Sequence, residues 1–204
     1  MNNGNSKKSE IITQITFNYD FSIHQGDFIK NVNYIESAIE NEGIIQISQI
    51  TFPTVVVLTQ ECDAQQDFKN RKEQSGNTDT DKQHQYLLSV IVAPVYTADD
   101  LREGTHLSEL GLKCDRITSD QYKQIKQNKN ERYHFMKIRI GTSYLEYIVD
   151  FKHYFTVNTE TILTLKKDEK NFNFQLDKLF KESVSQRFAN YLSRIGLPEV
   201  LICE

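Results

Sequence analysis

The chain has 204 residues, 25% of them charged, with a net charge of −4, eight Gly, three Pro and no Trp. That length suits one domain with a real core, and the composition excludes collagen-like and Pro-rich classes. The overall acidity excludes polyanion binding by bulk charge alone. The apolar runs at 54–59 and 87–95 fall short of the roughly 20 residues a bilayer span needs, so no membrane association is expected. Three widely spaced Cys argue against a disulfide scaffold, and a polar N-terminus without an apolar h-region argues against a signal peptide. Both point to the cytoplasm.

Residues 1–10 carry nothing to bury and read as disordered, leaving 11–204 as a single α+β domain. Ile15, Phe17, Tyr19, Phe21 and Ile23 alternate with polar residues, the period of a half-buried strand over 11–23. Gln25-Gly26-Asp27 is a turn into a second extended piece, and Tyr34–Glu42 reads as either a short helix or a loop. A strand over 44–50 is broken at Phe52-Pro53, and Thr54–Thr59 is apolar on both faces, as a central strand is. Residues 65–85 hold almost no apolar side chains and read as a mobile polar loop. Leu87–Val95 is a second two-faced strand, closed by Pro94.

Two helix starts follow. Thr97 precedes an acidic first turn, and Thr118 with Gln121 has capping-box spacing, leading a polar helix to about Lys129. Tyr133–Ile140 and Tyr144–Phe151 form a hairpin about Gly141, and 155–165 adds another strand. An apolar stripe from Leu176 to Ile195 marks an amphipathic helix, stopped by Gly196 and Pro198. The expected architecture is a small, mainly antiparallel barrel or curled sheet with added helices.

Phosphate loops, dinucleotide fingerprints, nucleophile elbows and zinc signatures are absent, and no cofactor is implied. Three constellations remain. Cys62 and Asp63 follow a buried strand; a thiolate there would need a base such as His134, oriented by Asp150. The competing reading is a buried small Cys and a chain-turning Asp. A metal site from Cys62 with His84, His106 or His134 lacks ligand spacing. Asp150 and Lys152 lie two apart, the pattern of metal-dependent nucleases, with Asp115 as a guess at the second acid, or else form a plain surface ion pair. Finally, residues 113–139 carry eight basic and three acidic residues, net +5, with Tyr122, Tyr133 and Phe135 interleaved. This suits nucleic-acid binding through Lys123, Lys126, Lys129, Arg132 and Tyr133, or an ordinary solvated helix.

Gly26-Asp27-Phe28-Ile29, Phe52-Pro53-Thr54-Val55-Val56-Val57-Leu58-Thr59 and Leu88–Val95 together resemble the PemK/MazF-like toxin pattern over residues 26–96. The resemblance implies an SH3-like barrel, commonly dimeric, acting on RNA without a metal, in a toxin–antitoxin or phage-defence setting. Phe52 stands where that family has the Arg of its R-P step, part of its cleavage equipment, and the chain is about twice a typical toxin's length. The expectation is therefore a cytoplasmic protein that binds or acts on RNA or DNA. The alternatives are a non-catalytic subunit for a protein partner or homodimer, and an enzyme centred on Cys62/His134 or Asp150/Lys152.

Overall fold

The computed structural model describes residues 11–17, 19–74 and 80–194. Eight strands form an open sheet in the order β1-β8-β2-β3-β4-β6-β5, with β7 paired to β4. They are β1 (Ile15–Thr16), β2 (Asp27–Asn41), β3 (Ile44–Val57), β4 (Ser89–Thr97), β5 (Tyr133–Ile140), β6 (Ser143–Asp150), β7 (Phe155–Asn158) and β8 (Phe172–Leu176). Every strand pair is antiparallel. The sheet curls until a single parallel bridge, Thr13 to Ile138, links the N-terminal segment to β5.

The run Val55-Val56-Val57 explains the centre of the fold. All three side chains are buried, Val56 with one core cluster and Val55 and Val57 with another, as alternation along a strand buried on both faces requires. Helix α5 (Lys178–Leu192) closes the first cluster with Val184 and Phe188, and α4 (Thr159–Lys166) closes the second with Ile162. A third cluster holds the insert containing α2 (Ala98–Glu103) and α3 (Ser119–Lys126) against β4 and β6, through Leu101, Leu107, Ile125 and Ile148. The caps fall as spaced in the sequence: Thr97 Oγ1 accepts the amide of Asp100, and Thr118 forms a full capping box with Gln121.

Several expectations are corrected. Tyr34–Glu42 is neither helix nor loop: Tyr34–Asn41 belongs to the 15-residue β2. β3 runs straight through Phe52-Pro53, and β4 runs on past Pro94 to Thr97. Pro94 escapes because it ends the β3–β4 ladder, after which β4 pairs with β6, and Pro53 because the β2–β3 ladder passes from Phe52 to Thr54 without pairing it, level with the positive-φ Asn31. A proline at the margin of a ladder forfeits little. Among the described residues of the 11–23 stretch only Ile15–Thr16 is strand. The 155–165 strand ends at Asn158, whose side chain accepts the amide of Glu160 and starts α4. Residues 61–74 form α1 (Glu61–Gln74), docked by a mostly polar stripe of Ala64, Asp67 and Asn70. Asp67 receives the Leu87 amide at 2.8 Å and Arg71 Nε at 2.7 Å, so charge and hydrogen bonds replace the apolar face. Ile195, Gly196 and Pro198, read as the end of the last helix, lie outside the described residues.

Candidate functional site

The changeover of β4 from β3 to β6 leaves a cleft. Beyond Pro94 the two strands separate, and the insert closes the gap from above. The cleft, about 340 Å³, is bounded by Phe52, Pro53, Tyr96, His106 and Tyr147, with Thr97, Asp100 and Ser108 among its polar groups. Tyr96 and His106 meet edge to face, ring centroids 4.8 Å apart. The Tyr96 hydroxyl and His106 Nδ1 are both buried without a hydrogen-bond partner among the described residues. Burial raises the Tyr96 pKa, with the Asp150 charge adding to it, and burial lowers that of His106. Both groups are therefore neutral hydrogen-bonding groups at pH 7.

Behind Tyr96 lies Asp150. Arg132 grips it with both arms, Nε to Oδ1 at 2.8 Å and Nη2 to Oδ2 at 2.6 Å. His153 Nδ1 stands 3.1 Å from Oδ2. Burial opposes ionisation of Asp150, but the guanidinium prevails and holds the carboxyl at about 2. Lys152 is exposed and meets Asp150 only through its backbone amide, which donates to Oδ1 at 3.0 Å. The Asp150–Lys152 step is thus a capped 3-10 turn, Phe151–His153, whose acid is fully committed.

The other sequence candidates are scattered. Cys62 is exposed at the start of α1, its Sγ 3.7 Å from Gln60 Oε1 and Asp63 Oδ1. His134 is buried in β5, held down to about 3 by burial and by the nearby Arg187 charge. Among the described residues no hydrogen bond or ion pair joins Cys62, His134 and Asp150, and no group of three His, Cys, Asp or Glu side chains is arranged to hold a metal ion. Of the basic set, Arg132 is spent on Asp150 and its guanidinium lies 4.8 Å over the half-buried Tyr133 ring. Lys126 donates to Glu146 at 2.9 Å, beside Tyr122. Lys123 and Lys129 are exposed on and just after α3.

A second cluster went unseen in the sequence, although it uses the strand end after Thr59. Glu61, not Cys62, is its centre. Glu61 accepts from the Gln25 amide at 2.9 Å, lies 2.7 Å from His24 Nδ1, and meets Lys181 at 3.4 Å. His24 Nε2 lies 2.8 Å from both Asp20 and Ser22. Glu61 foremost, then Asp20 and Asp27, outweigh burial and raise the His24 pKa; Glu61 itself falls to about 2, chiefly through His24 against the cost of burial. Beneath them, Lys166 and Asp27 are each about 1% exposed and pair at 2.8 Å. Lys166 also donates to the Ser22 carbonyl, and Gln175 Nε2 donates to Asp27 at 3.0 Å. The Gly26-Asp27 turn was the only signal available; nothing near residue 166 announces its partner.

The cluster's three carboxylates, Asp20, Asp27 and Glu61, disfavour an anionic substrate, and its bonds tie the 20–27 turn to α1, α4 and α5. The cleft is the better ligand site. Comparison with family models, curated proteins and solved structures finds nothing that matches this chain.

Proposed function

We propose that the protein binds single-stranded nucleic acid, seating an unstacked base in the cleft between β3, β4 and the insert. The observation that carries this reading is the pair of neutral, unpartnered polar groups, Tyr96 hydroxyl and His106 Nδ1, beside aromatic walls. A base needs a ring to stack on and a few uncharged donors and acceptors for its edge. The phosphates would fall to exposed lysines of the same insert, Lys123 and Lys129. A single strand fits because a paired base cannot enter a cleft of this size without leaving its stack.

The curled antiparallel sheet is compatible with an SH3-like, PemK/MazF-like core, and a toxin–antitoxin or phage-defence setting would suit it. Phe52 forms a wall of the cleft at the position of that family's Arg. The reading is accordingly recognition without cleavage.

Fluorescence anisotropy with labelled single-stranded RNA and DNA oligomers, titrated across salt, tests it. Binding should weaken as salt rises, and Lys123→Glu with Lys129→Glu should flatten that slope by about two units. Tyr96→Phe should reduce discrimination among bases while leaving the slope unchanged. If neither polymer binds with salt dependence, the reading fails.

A further inference from the structure

The outer half of the β2–β3 hairpin leaves the body of the molecule as a two-stranded ribbon. β8 pairs with β2 only at Asp27 and Ile29, and β4 pairs with β3 only at Val55–Val57. Beyond them Ser37–Asn41 ladders against Ile44–Ser48, past a bulge at Glu36, with both faces exposed. Such a ribbon is marginal in water by itself. Its surface is also unusual. Ile35, Ile39, Ile44, Ile45 and Ile47 are each 58–66% exposed. The register puts Ala38 opposite Ile47 and Glu40 opposite Ile45, so Ala38, Ile45 and Ile47 make one apolar stripe, while Ile39 and Ile44 face the other way.

Charge narrows the choice of partner. Between Lys30 and Lys69 the sequence has no Lys, Arg or His, and the ribbon carries Glu36, Glu40 and Glu42. Two ribbons laid on each other would set like charges together. The inverse surface lies elsewhere on the same chain. The tip of the β5–β6 hairpin exposes Ile140 and Leu145 on one face and Arg139 and Tyr144 on the other, at the end of the net +5 segment.

We propose that the ribbon of one copy docks on the β5–β6 tip of a second copy, reciprocally about a two-fold axis. The reciprocal arrangement buries both ribbons and doubles the contact area, as an isologous dimer does. Aliphatic stripe meets aliphatic tip, and the ribbon's glutamates flank Arg139. The inference does not rest on nucleic-acid binding and goes beyond it.

Light scattering and sedimentation equilibrium on the full chain at about 50 µM should show a dimer that weakens with added salt. Ile45→Asp with Ile47→Asp should give a monomer of unchanged circular dichroism whose thermal midpoint no longer depends on protein concentration, and so should Leu145→Asp. Charge exchange makes the test independent of those variants. Glu40→Arg/Glu42→Arg in one chain and Arg139→Glu in another should each weaken self-association by about tenfold or more. Mixing the two should restore a heterodimer, because wild-type ribbon meets wild-type tip at one interface and reversed charges meet at the other. A wild-type monomer at this concentration would overturn the proposal. So would a dimer that depends on the ribbon but ignores Leu145 and Arg139, since that would place the ribbon on another surface.

Discussion

Two buried carboxylates in this molecule, Asp150 and Asp27, pair chiefly with Arg132 and Lys166, and they respond in opposite senses. Asp150 is held at about 2, whereas burial drives the Asp27 pKa above its ordinary value although Lys166 Nζ is 2.8 Å away. Both acids are essentially inaccessible. The cations differ. Arg132 is part-exposed, keeps some of its own hydration, and offers two parallel bonds to Asp150. Lys166 is a point charge that has itself left water, shares its protons with the Ser22 carbonyl, and must offset two desolvations at once. One pair is an anchored surface fork; the other is a deep polar joint.

Breaking the joint should cost most. Lys166→Met strands the Asp27 charge and should remove about 3–5 kcal/mol of stability in urea unfolding. Adding Asp27→Leu should recover most of that loss, since an apolar pair of similar volume dispenses with both desolvations. A double variant as weak as the single one would show that the joint does more than satisfy its own charges.

The fork should be less costly to damage. Arg132→Lys keeps the charge and loses the bidentate geometry, for an expected loss of about 1.5–3 kcal/mol. Its pH signature has a definite sign. Asp150 is lowered from 3.8, so its contribution is present above that value and drains as pH falls towards 2. Acid titration of the urea midpoint should show that limb in the wild type and a shallower one in the variant.

The smallest effect concerns the lid on the joint. The His24 amide donates to Asp27 at 2.9 Å while its imidazole is held by Glu61 and Asp20. With the His24 pKa raised above 6.5, its contribution is complete below pH 6.5 and is lost as pH climbs through the raised value. A small loss of stability as pH rises above 6.5 is expected, and His24→Gln should flatten that alkaline limb.

These contrasts also mark what the sequence makes legible. Periodicity located the central valine strand, the β5–β6 hairpin and most of α5, because burial of one face writes itself into residue order. Capping located α2 and α3 for the same local reason. α1 was missed because it docks by Asp67 and Asn70 rather than by apolar residues, so no moment advertised it. The 44–50 half of the ribbon reads as strand in the sequence, whereas its Tyr34–Asn41 half does not, because Ile35 and Ile39 stand four apart, a spacing that suits a helix as well as a strand. At the sites, Glu61 fell within the strand end singled out in the sequence, yet Cys62 beside it drew the chemistry. His24, Tyr96, His106 and Lys166 come from four separate stretches, and only the folded sheet brings their partners to them.

The Asp27–Lys166 joint also has a consequence for how the chain is made. Its halves are 139 residues apart, and at roughly 5–20 residues per second the ribosome needs about 7–28 s to add the second after the first. Throughout that interval the turn at Asp27 must stay hydrated, because sealing it early would trap a charge without its counterion. The turn at Asp27 should therefore seal only once α4 has emerged, and the protein should acquire its protease resistance late in synthesis.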